Sequence, residues 1–334
     1  MIISRTPFRI SFFGGGTDYP QWYMQHGGAV IGTTINKYCY ISVRALPPFF
    51  EHRHRIAYSR VETVKSIAEI DHPAVRAVLH EHEPKTGLEI HHDGDLPART
   101  GLGTSSSFTV GLLNALNALD GRMSSARQLA SEAIRIEQSV IRENVGSQDQ
   151  VWAAFGGTNV VEFRPDGEIT VTPLIMTPER RVELREHLML VYTGISRIAS
   201  EVAGHLIVNL DRRAAQLAVM RQMVDEATDI LSSGERGMRE FGGLMDEAWR
   251  MKRELADGVS NNRIDALYEA ARSAGAYGGK LLGAGGGGFM LFVAPPEAQG
   301  KIRERLNGLI EVDVDIGSAG SRIVVYEPNG LHQS

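Results

Sequence analysis

Residues 97–108 read Pro-Ala-Arg-Thr-Gly-Leu-Gly-Thr-Ser-Ser-Ser-Phe, a glycine loop that runs into four hydroxyl residues and then an apolar helix. This order of residue types suits phosphate. Glycines at 101 and 103 let the backbone approach an anion with no Cβ in the way. The first N–H groups of the following helix have no intrahelical partner and lie at the positive end of its dipole. Thr104, Ser105, Ser106 and Ser107 add side-chain oxygens at the same point, and a hydroxyl there can ligate the Mg²⁺ that accompanies nucleotide phosphates. Taken alone, the segment reads equally as a serine-capped helix after a flexible turn.

Two acids are placed where chemistry can use them. A capping box, Ser125-Ala-Arg-Gln128, opens a helix expected over 125–144, and Ala130, Ile134 and Ile141 mark its apolar stripe. Glu137 completes that stripe, so a carboxylate sits on an apolar face, where an unpaired charge is costly. Its partner is either an arginine such as Arg99 or a Mg²⁺ beside the hydroxyl loop. Asp149 lies in a short connection before a Gly-Gly turn; in isolation it reads as a helix cap as readily as a reactive acid.

The elements that position these residues follow from the pattern. Phe108, Val110, Leu112, Leu113, Leu116 and Leu119 make the helix after the glycine loop apolar on most sides, a fixed platform that ends at Asp120-Gly121. Strands are expected over 2–10, interrupted at Pro7, in two stretches of 29–44, and over 158–163 and 187–192. Long helices are expected between 200 and 254 and over 263–274, with a domain junction between 172 and 186. Histidines at 52/54, 80/82 and 91/92 lack a metal-site spacing and read as solvent-facing. Gly283, Gly285 and Gly288 satisfy GxGxxG, but a helix precedes them and a strand follows, the reverse of the dinucleotide fingerprint. Four consecutive glycines there suggest either a tight turn or a backbone that passes close to something bulky.

Composition bounds the function. A chain of 334 residues fits two domains with an ample core. A net charge of −5 with no Lys/Arg-rich run argues against nucleic acid as a partner. The single cysteine, Cys39, excludes an internal disulfide and reads as a buried core thiol. No apolar run approaches membrane-spanning length and the first residues lack a signal-peptide layout, so a cytoplasmic protein is expected.

Three segments together resemble the motifs of the GHMP small-molecule kinases, in family order: 7–18 (Pro-Phe-Arg-Ile-Ser-Phe-Phe-Gly-Gly-Gly-Thr-Asp), 97–107, and 280–289 (Lys-Leu-Leu-Gly-Ala-Gly-Gly-Gly-Gly-Phe). Within the family, Gly-Gly-Gly-Thr-Asp in the first motif and Glu-Asn-Val-Gly-Ser-Gln-Asp-Gln at 143–150 resemble the bacterial heptose 7-phosphate kinases. The resemblance implies two domains: an N-terminal α/β domain (1–175) with a left-handed βαβ crossover, and a C-terminal α+β domain (176–334) of ferredoxin-like type. It implies ATP on Pro97, Gly101, Leu102, Gly103, Thr104, Ser105, Ser106 and Ser107, with Mg²⁺ on Ser105 and Glu137, and Asp149 facing the acceptor hydroxyl. Arg9, Gly15, Gly16, Thr17 and Asp18 match the sugar-contacting segment, Arg9 being either a sugar contact or an ion-pair partner of Asp18. Gly285 and Gly286 join the acceptor site, and Arg197 and Lys280 are candidates for a distal phosphate. The implied reaction is ATP-dependent phosphorylation of the anomeric hydroxyl of D-glycero-D-manno-heptose 7-phosphate, feeding nucleotide-activated heptose synthesis for surface polysaccharide. The alternatives are a kinase for an unphosphorylated sugar of L-fucose or galactose type, or a non-catalytic nucleotide-binding regulator. Expected partners are ATP and a sugar or sugar phosphate, with no nucleic acid and no membrane; a homodimer is left open.

Overall fold

The computed structural model describes residues 1–195 and 199–328. The chain opens with β1 (Ile2–Phe13), α1 (Pro20–His26), β2 (Gly28–Ala45), β3 (His54–Ala57), β4 (Val61–Val64), α2 (Pro73–His82) and β5 (Leu88–Gly94). Then follow α3 (Thr104–Leu119), α4 (Ala126–Arg135), α5 (Gln148–Phe155), β6 (Thr158–Phe163) and β7 (Ile169–Pro173). The second half holds α6 (Pro178–His187), β8 (Leu188–Tyr192), α7 (Ala199–Asn209), α8 (Ala214–Ser232), α9 (Met238–Leu255) and α10 (Asn262–Ser273). It closes with β9 (Gly278–Leu281), β10 (Phe289–Val293), α11 (Pro296–Arg305), β11 (Ile310–Val312) and β12 (Arg322–Tyr326).

The first sheet runs β12-β1-β2-β5-β3-β4, with β6 also on β2 and β7 on β6. Its two long central strands differ from the expected broken ones. β2 is continuous because different halves of it are paired, residues 28–33 with β6 and 39–45 with β5. β1 runs through Pro7, whose missing donor falls where β12, which pairs only residues 2–5, has already ended. The Pro7 carbonyl accepts instead from Ser107 Oγ at 2.8 Å. Helix α3 lies against these strands, buried along nearly its whole length, so its first turn is held at a fixed place at the end of the sheet.

The expected 125–144 helix divides. The capping box forms, Gln128 N donating to Ser125 Oγ (3.2 Å) and Ser125 N to Gln128 Oε1 (2.9 Å), but α4 ends at Arg135. A π turn over Ile136–Ile141 replaces its continuation, closed by Arg142 at φ 63° and by Glu143 N donating to Glu137 O at 2.9 Å. The widened turn carries Glu137 inward, the kind of local departure that recurs at functional sites. His54 also departs from expectation. It is buried and accepts from Leu88 N at 3.3 Å, because β3 is a strand of the sheet whose alternate residues, His54 and Ile56, face inward.

The second sheet, β11-β8-β10-β9, is wholly antiparallel, with α7 to α10 between β8 and β9 and α11 between β10 and β11. That is the β-α-β-β-α-β arrangement of ferredoxin-like domains. After β11 the chain returns to the first sheet, where β12 pairs antiparallel with β1. The last strand of the sequence therefore belongs with the first half, not with the block expected over 176–334.

The glycine-rich hairpin between β9 and β10 docks on the 97–103 loop, backbone to backbone. Phe289 N donates to Thr100 O at 3.1 Å; a Cβ at Gly288 (φ 104°) would collide with that same carbonyl, and one at Gly101 with Leu282 O. Close approach of another segment, not a tight turn alone, is what the glycines serve. Gly288→Ala is expected to cost about 2 kcal/mol or more, from left-handed strain plus displaced backbone. The measurement is the urea unfolding midpoint, and an unshifted midpoint would show that the loops are not in contact.

Candidate active site

Helix α3 begins at Gly103, whose left-handed backbone (φ 73°) leaves no side chain to cap the helix. The N–H groups of its first turn therefore point outward, unclaimed by the helix itself. The four hydroxyls divide into separate tasks, because successive residues of a helix point about a quarter-turn apart. Thr104 Oγ1 accepts from Arg99 N at 3.2 Å, and Ser107 is spent on Pro7. Ser106 Oγ donates to Glu137 Oε2 at 2.8 Å, and Ser105 is exposed. Leu102 is buried, Pro97 is exposed, and the Pro97 carbonyl accepts from Thr100 Oγ1 at 2.8 Å, fixing the turn that leads in.

Glu137 is buried, and among the described residues it has no arginine partner; Arg99 acts on Glu143 instead. Glu137 Oε2 accepts from Ser106 and from Gln150 Nε2 (2.5 Å), while among the described residues its Oε1 has no hydrogen-bond partner. Burial pushes the carboxyl up to about 7 against the pull of Thr109, Ser106 and Gln150. A buried carboxylate oxygen with an unspent acceptor beside hydroxyl oxygens fits a bound cation, and the open helix N-terminus next to it fits the anion that such a cation accompanies. Among the described residues no group of three or more His, Cys, Asp or Glu could hold a metal by itself.

Asp149 occupies the first turn of α5 and does not cap it. Arg9, buried in β1, grips the carboxylate with one edge of its guanidinium, Nε to Oδ1 at 2.8 Å and Nη2 to Oδ2 at 2.7 Å, and gives Nη1 to Gly101 O at 2.5 Å. The Asp149 side chain is 28 % exposed, so one side of it is open. It also lies against the tip of α3, since a Cβ placed on Gly103 would be 3.5 Å from its Oδ2. Both acids thus stand at the same helix end, one through Ser106 and one through Gly103.

The ion-pair partner of Arg9 is Asp149 and not Asp18. Asp18 is buried with Gly16 N donating to Oδ1 at 2.9 Å, and a Cβ at Gly146 would collide with its Oδ2. Burial pushes its carboxyl up, and the charge of Asp149 adds to the rise. Thr17 is fully buried in the turn, its Oγ1 bonded to Gly14 O (2.8 Å) and Ala29 O (2.9 Å), and Gly16 packs on Leu217. Gly15 stands beside Gln148.

The remaining candidates scatter. Gly285 packs on Val259, and Gly286 N donates to Val259 O at 3.0 Å. Arg197 lies outside the described residues. Lys280 is buried and donates to Ser11 O (3.0 Å) and Phe12 O (2.8 Å). Lys252, in α9, was missed: it is buried and donates to Leu281 O (3.0 Å) and Gly283 O (2.5 Å). Its signal was the one that exposed Glu137, a charge on an apolar helical stripe, here Met245, Ala248, Trp249 and Leu255.

A family model described as the GHMP kinases N terminal domain matches residues 64–157, and one described as GHMP kinases C terminal matches residues 227–310. The chain is 28% identical over 307 residues to the D-glycero-alpha-D-manno-heptose 7-phosphate kinase of Campylobacter jejuni, covering 88% of this chain and 90% of that one. It is 26% identical over 339 residues to a bifunctional fucokinase/GDP-fucose pyrophosphorylase of Arabidopsis thaliana, covering 93% of this chain but 31% of that much longer protein. Among solved structures, a D-glycero-D-manno-heptose 1-phosphate kinase from Bacteroides thetaiotaomicron superimposes with a TM-score of 0.79 over 98% of this chain and 100% of that one, at 22% identity, a likeness of fold.

Glu137 gives a pH test. Its carboxyl ionises near 7 in the fold against an ordinary value of 4.5, so the folded state prefers the protonated form. Ionisation therefore removes stability progressively as pH rises from the ordinary value to about 7, and the loss is complete above. Glu137→Gln is expected to raise the melting temperature at pH 8 and to change it little at pH 5. A shift of the same size at both values would show that the group is not held out of water.

Proposed function

We propose that this chain, which belongs to the GHMP kinase family and is a phosphotransferase with an alcohol group as acceptor, transfers the γ-phosphoryl group of ATP to the anomeric hydroxyl of D-glycero-D-manno-heptose 7-phosphate. The product is the 1,7-bisphosphate, a precursor for nucleotide-activated heptose and surface polysaccharide made in the cytoplasm. The observation that carries the reading is the Arg9-held carboxylate of Asp149 against the uncapped tip of α3, with buried Glu137 on the same tip.

Phosphoryl transfer asks a protein mainly for alignment and for charge neutralisation. The open amides of 103–106 receive the phosphate chain. Glu137, with the hydroxyls of Ser105 and Ser106, would hold Mg²⁺, which supplies neutralisation of the phosphate charge. Asp149 accepts a hydrogen bond from the acceptor hydroxyl on its open side and takes the proton during or after transfer. Arg9 fixes the plane of that carboxylate and adds a positive charge next to the transferred group. Asp18 accepts from neighbouring sugar hydroxyls. The heptose 7-phosphate kinase relative, aligned over nine-tenths of its length, supports the acceptor.

A second reading, a kinase for an unphosphorylated sugar such as L-fucose, is favoured by the fucokinase relative. A non-catalytic regulator has no need of Asp149 held by a bidentate clamp beside a second buried acid. A coupled ATP assay across heptose 7-phosphate, heptose, L-fucose and galactose, with ³¹P NMR of the product, separates the three. Heptose 7-phosphate is expected to give the highest kcat/KM; turnover of a free sugar at equal or greater efficiency would reject the phosphorylated acceptor. Asp149→Asn is expected to lower kcat by about two orders of magnitude or more, the scale of a lost acid or base. Near wild-type turnover in that variant would remove the role.

A further inference from the structure

A groove of about 540 Å³ opens on the second lobe, bounded by the start of α9, the corner between α10 and β9, and the first turns of α11. Each of these three helices places one cation on its lining: Arg239, Arg272 and Lys301. Among the described residues, Glu297 is the one acid that lines it. Asp246 is 3.8 Å from Arg272, but its oxygens are taken, Oδ2 by Arg250 at 2.6 Å and Oδ1 by the Tyr268 hydroxyl. The groove is separate from the α3 tip. Tyr277 lines it, and β9 leads from there to the hairpin that meets the 97–103 loop, a strand of four residues that spans roughly 13 Å.

Two of the cations are held in place. The Arg239 guanidinium lies over the Tyr277 ring, 4.5 Å from its centroid, and Arg272 Nη1 donates to Ala276 O at the corner. Stacking uses the flat face of a guanidinium and leaves the N–H donors at its edge for a ligand. Acids on the same helices pair elsewhere, Glu240 with Arg236 and Asp265 with Arg253; among the described residues Arg239 and Lys301 have no ion pair. One wall is open by design of the chain, since a Cβ placed on Gly243 would meet no atom within 4 Å. A chain with a net charge of −5 thus gathers three cations and one acid around a single concavity, and such a cleft draws anions toward it.

We propose that this groove is a second anion site, one that takes a small phosphate ester and does not depend on which acceptor the catalytic site uses. Its volume lies in the range of small-molecule sites. Guanidinium edges match phosphate oxygens two at a time, and Lys301 adds a point charge from the facing helix. The excess of cations over the one acid suits a dianion, which a phosphate ester supplies in compact form. A sugar phosphate and a nucleoside monophosphate carry the same group, and the body attached to it separates them.

The experiment is calorimetric titration of glucose 6-phosphate, AMP and succinate, a dianion without phosphorus, into protein saturated with a non-hydrolysable ATP analogue. Wild type is compared with the double variant Arg239→Gln/Lys301→Gln, which removes charge, and with Gly243→Leu, which fills the groove and keeps the charge. All three positions are exposed, so the substitutions are compatible with folding. At least one of the two esters is expected to bind wild type, and both variants are expected to weaken it at least about tenfold, the scale of one lost charged hydrogen bond. The tighter of the two esters identifies the ligand as a sugar phosphate or a nucleotide. No binding to wild type, equal affinity in all three proteins, succinate bound as tightly as the esters, or an effect confined to one of the two variants would overturn the site and leave the kinase reading standing.

Discussion

The geometry of the site depends on one side chain, Arg9. Its guanidinium holds Asp149 by two parallel bonds and Gly101 O by a third, while its backbone N–H donates to Leu102 O at 3.0 Å. Strand β1, the 97–103 loop and helix α5 are thereby fixed to one another through a single planar fork. A lysine has the charge but not the shape, since only the fork offers donors in the fixed directions that a carboxylate and a carbonyl require together. Because the carboxylate is pinned on one side, its open side faces the tip of α3 at a fixed distance, and the alignment that phosphoryl transfer needs is built before any ligand arrives.

Buried charge elsewhere in the protein shows what is special here. Glu89 is as buried as Glu137, yet His91, Arg44 and Arg55 outweigh its burial and hold the carboxyl down at about 2. Glu137 has only neutral donors, and burial wins. One half of the chain thus contains an acid in a strand, Glu89, that is paired with charged partners and one in a π turn, Glu137, that is not. Burial likewise pushes Asp18, Lys252 and Lys280 toward their neutral forms. Perturbed buried groups thus gather where β1 meets the glycine-rich hairpin, the pattern expected where ligands complete the electrostatics.

Much of this was legible in the residues. Glycines 101 and 103 before a run of hydroxyls fixed the position of the helix tip, and the capping box at 125–128 fixed the start of the helix that leads to Glu137. The charge on an apolar stripe identified a buried acid. What the one-dimensional pattern lacked was direction. Which of four consecutive hydroxyls meets Glu137 depends on where the helix starts to within one residue, and Gly103 as the cap sends Ser106, not Ser105, to the carboxylate. The π turn was invisible because its residues carry ordinary helical propensities, and its cause is tertiary. The choice of Asp149 over Asp18 as the partner of Arg9 likewise rests on a contact across 140 residues that no local spacing encodes.

The second lobe does more than cover the first. Glycines 283 and 288 bring its hairpin into backbone contact with Thr100 and Gly101, and Lys280 reaches across to the last residues of β1. The 97–103 loop is therefore shaped from behind by a segment nearly two hundred residues later in the chain. β12 then returns to pair with β1, so the first sheet is complete only when the last strand is made. A lobe expressed alone would lack either the edge of its sheet or the floor of its loop. This floor is built of backbone bonds and glycine contacts with no side chain between them, so it has little freedom to open. The spacing between the α3 tip and Asp149 is held from both sides, by Arg9 and by the hairpin behind the loop.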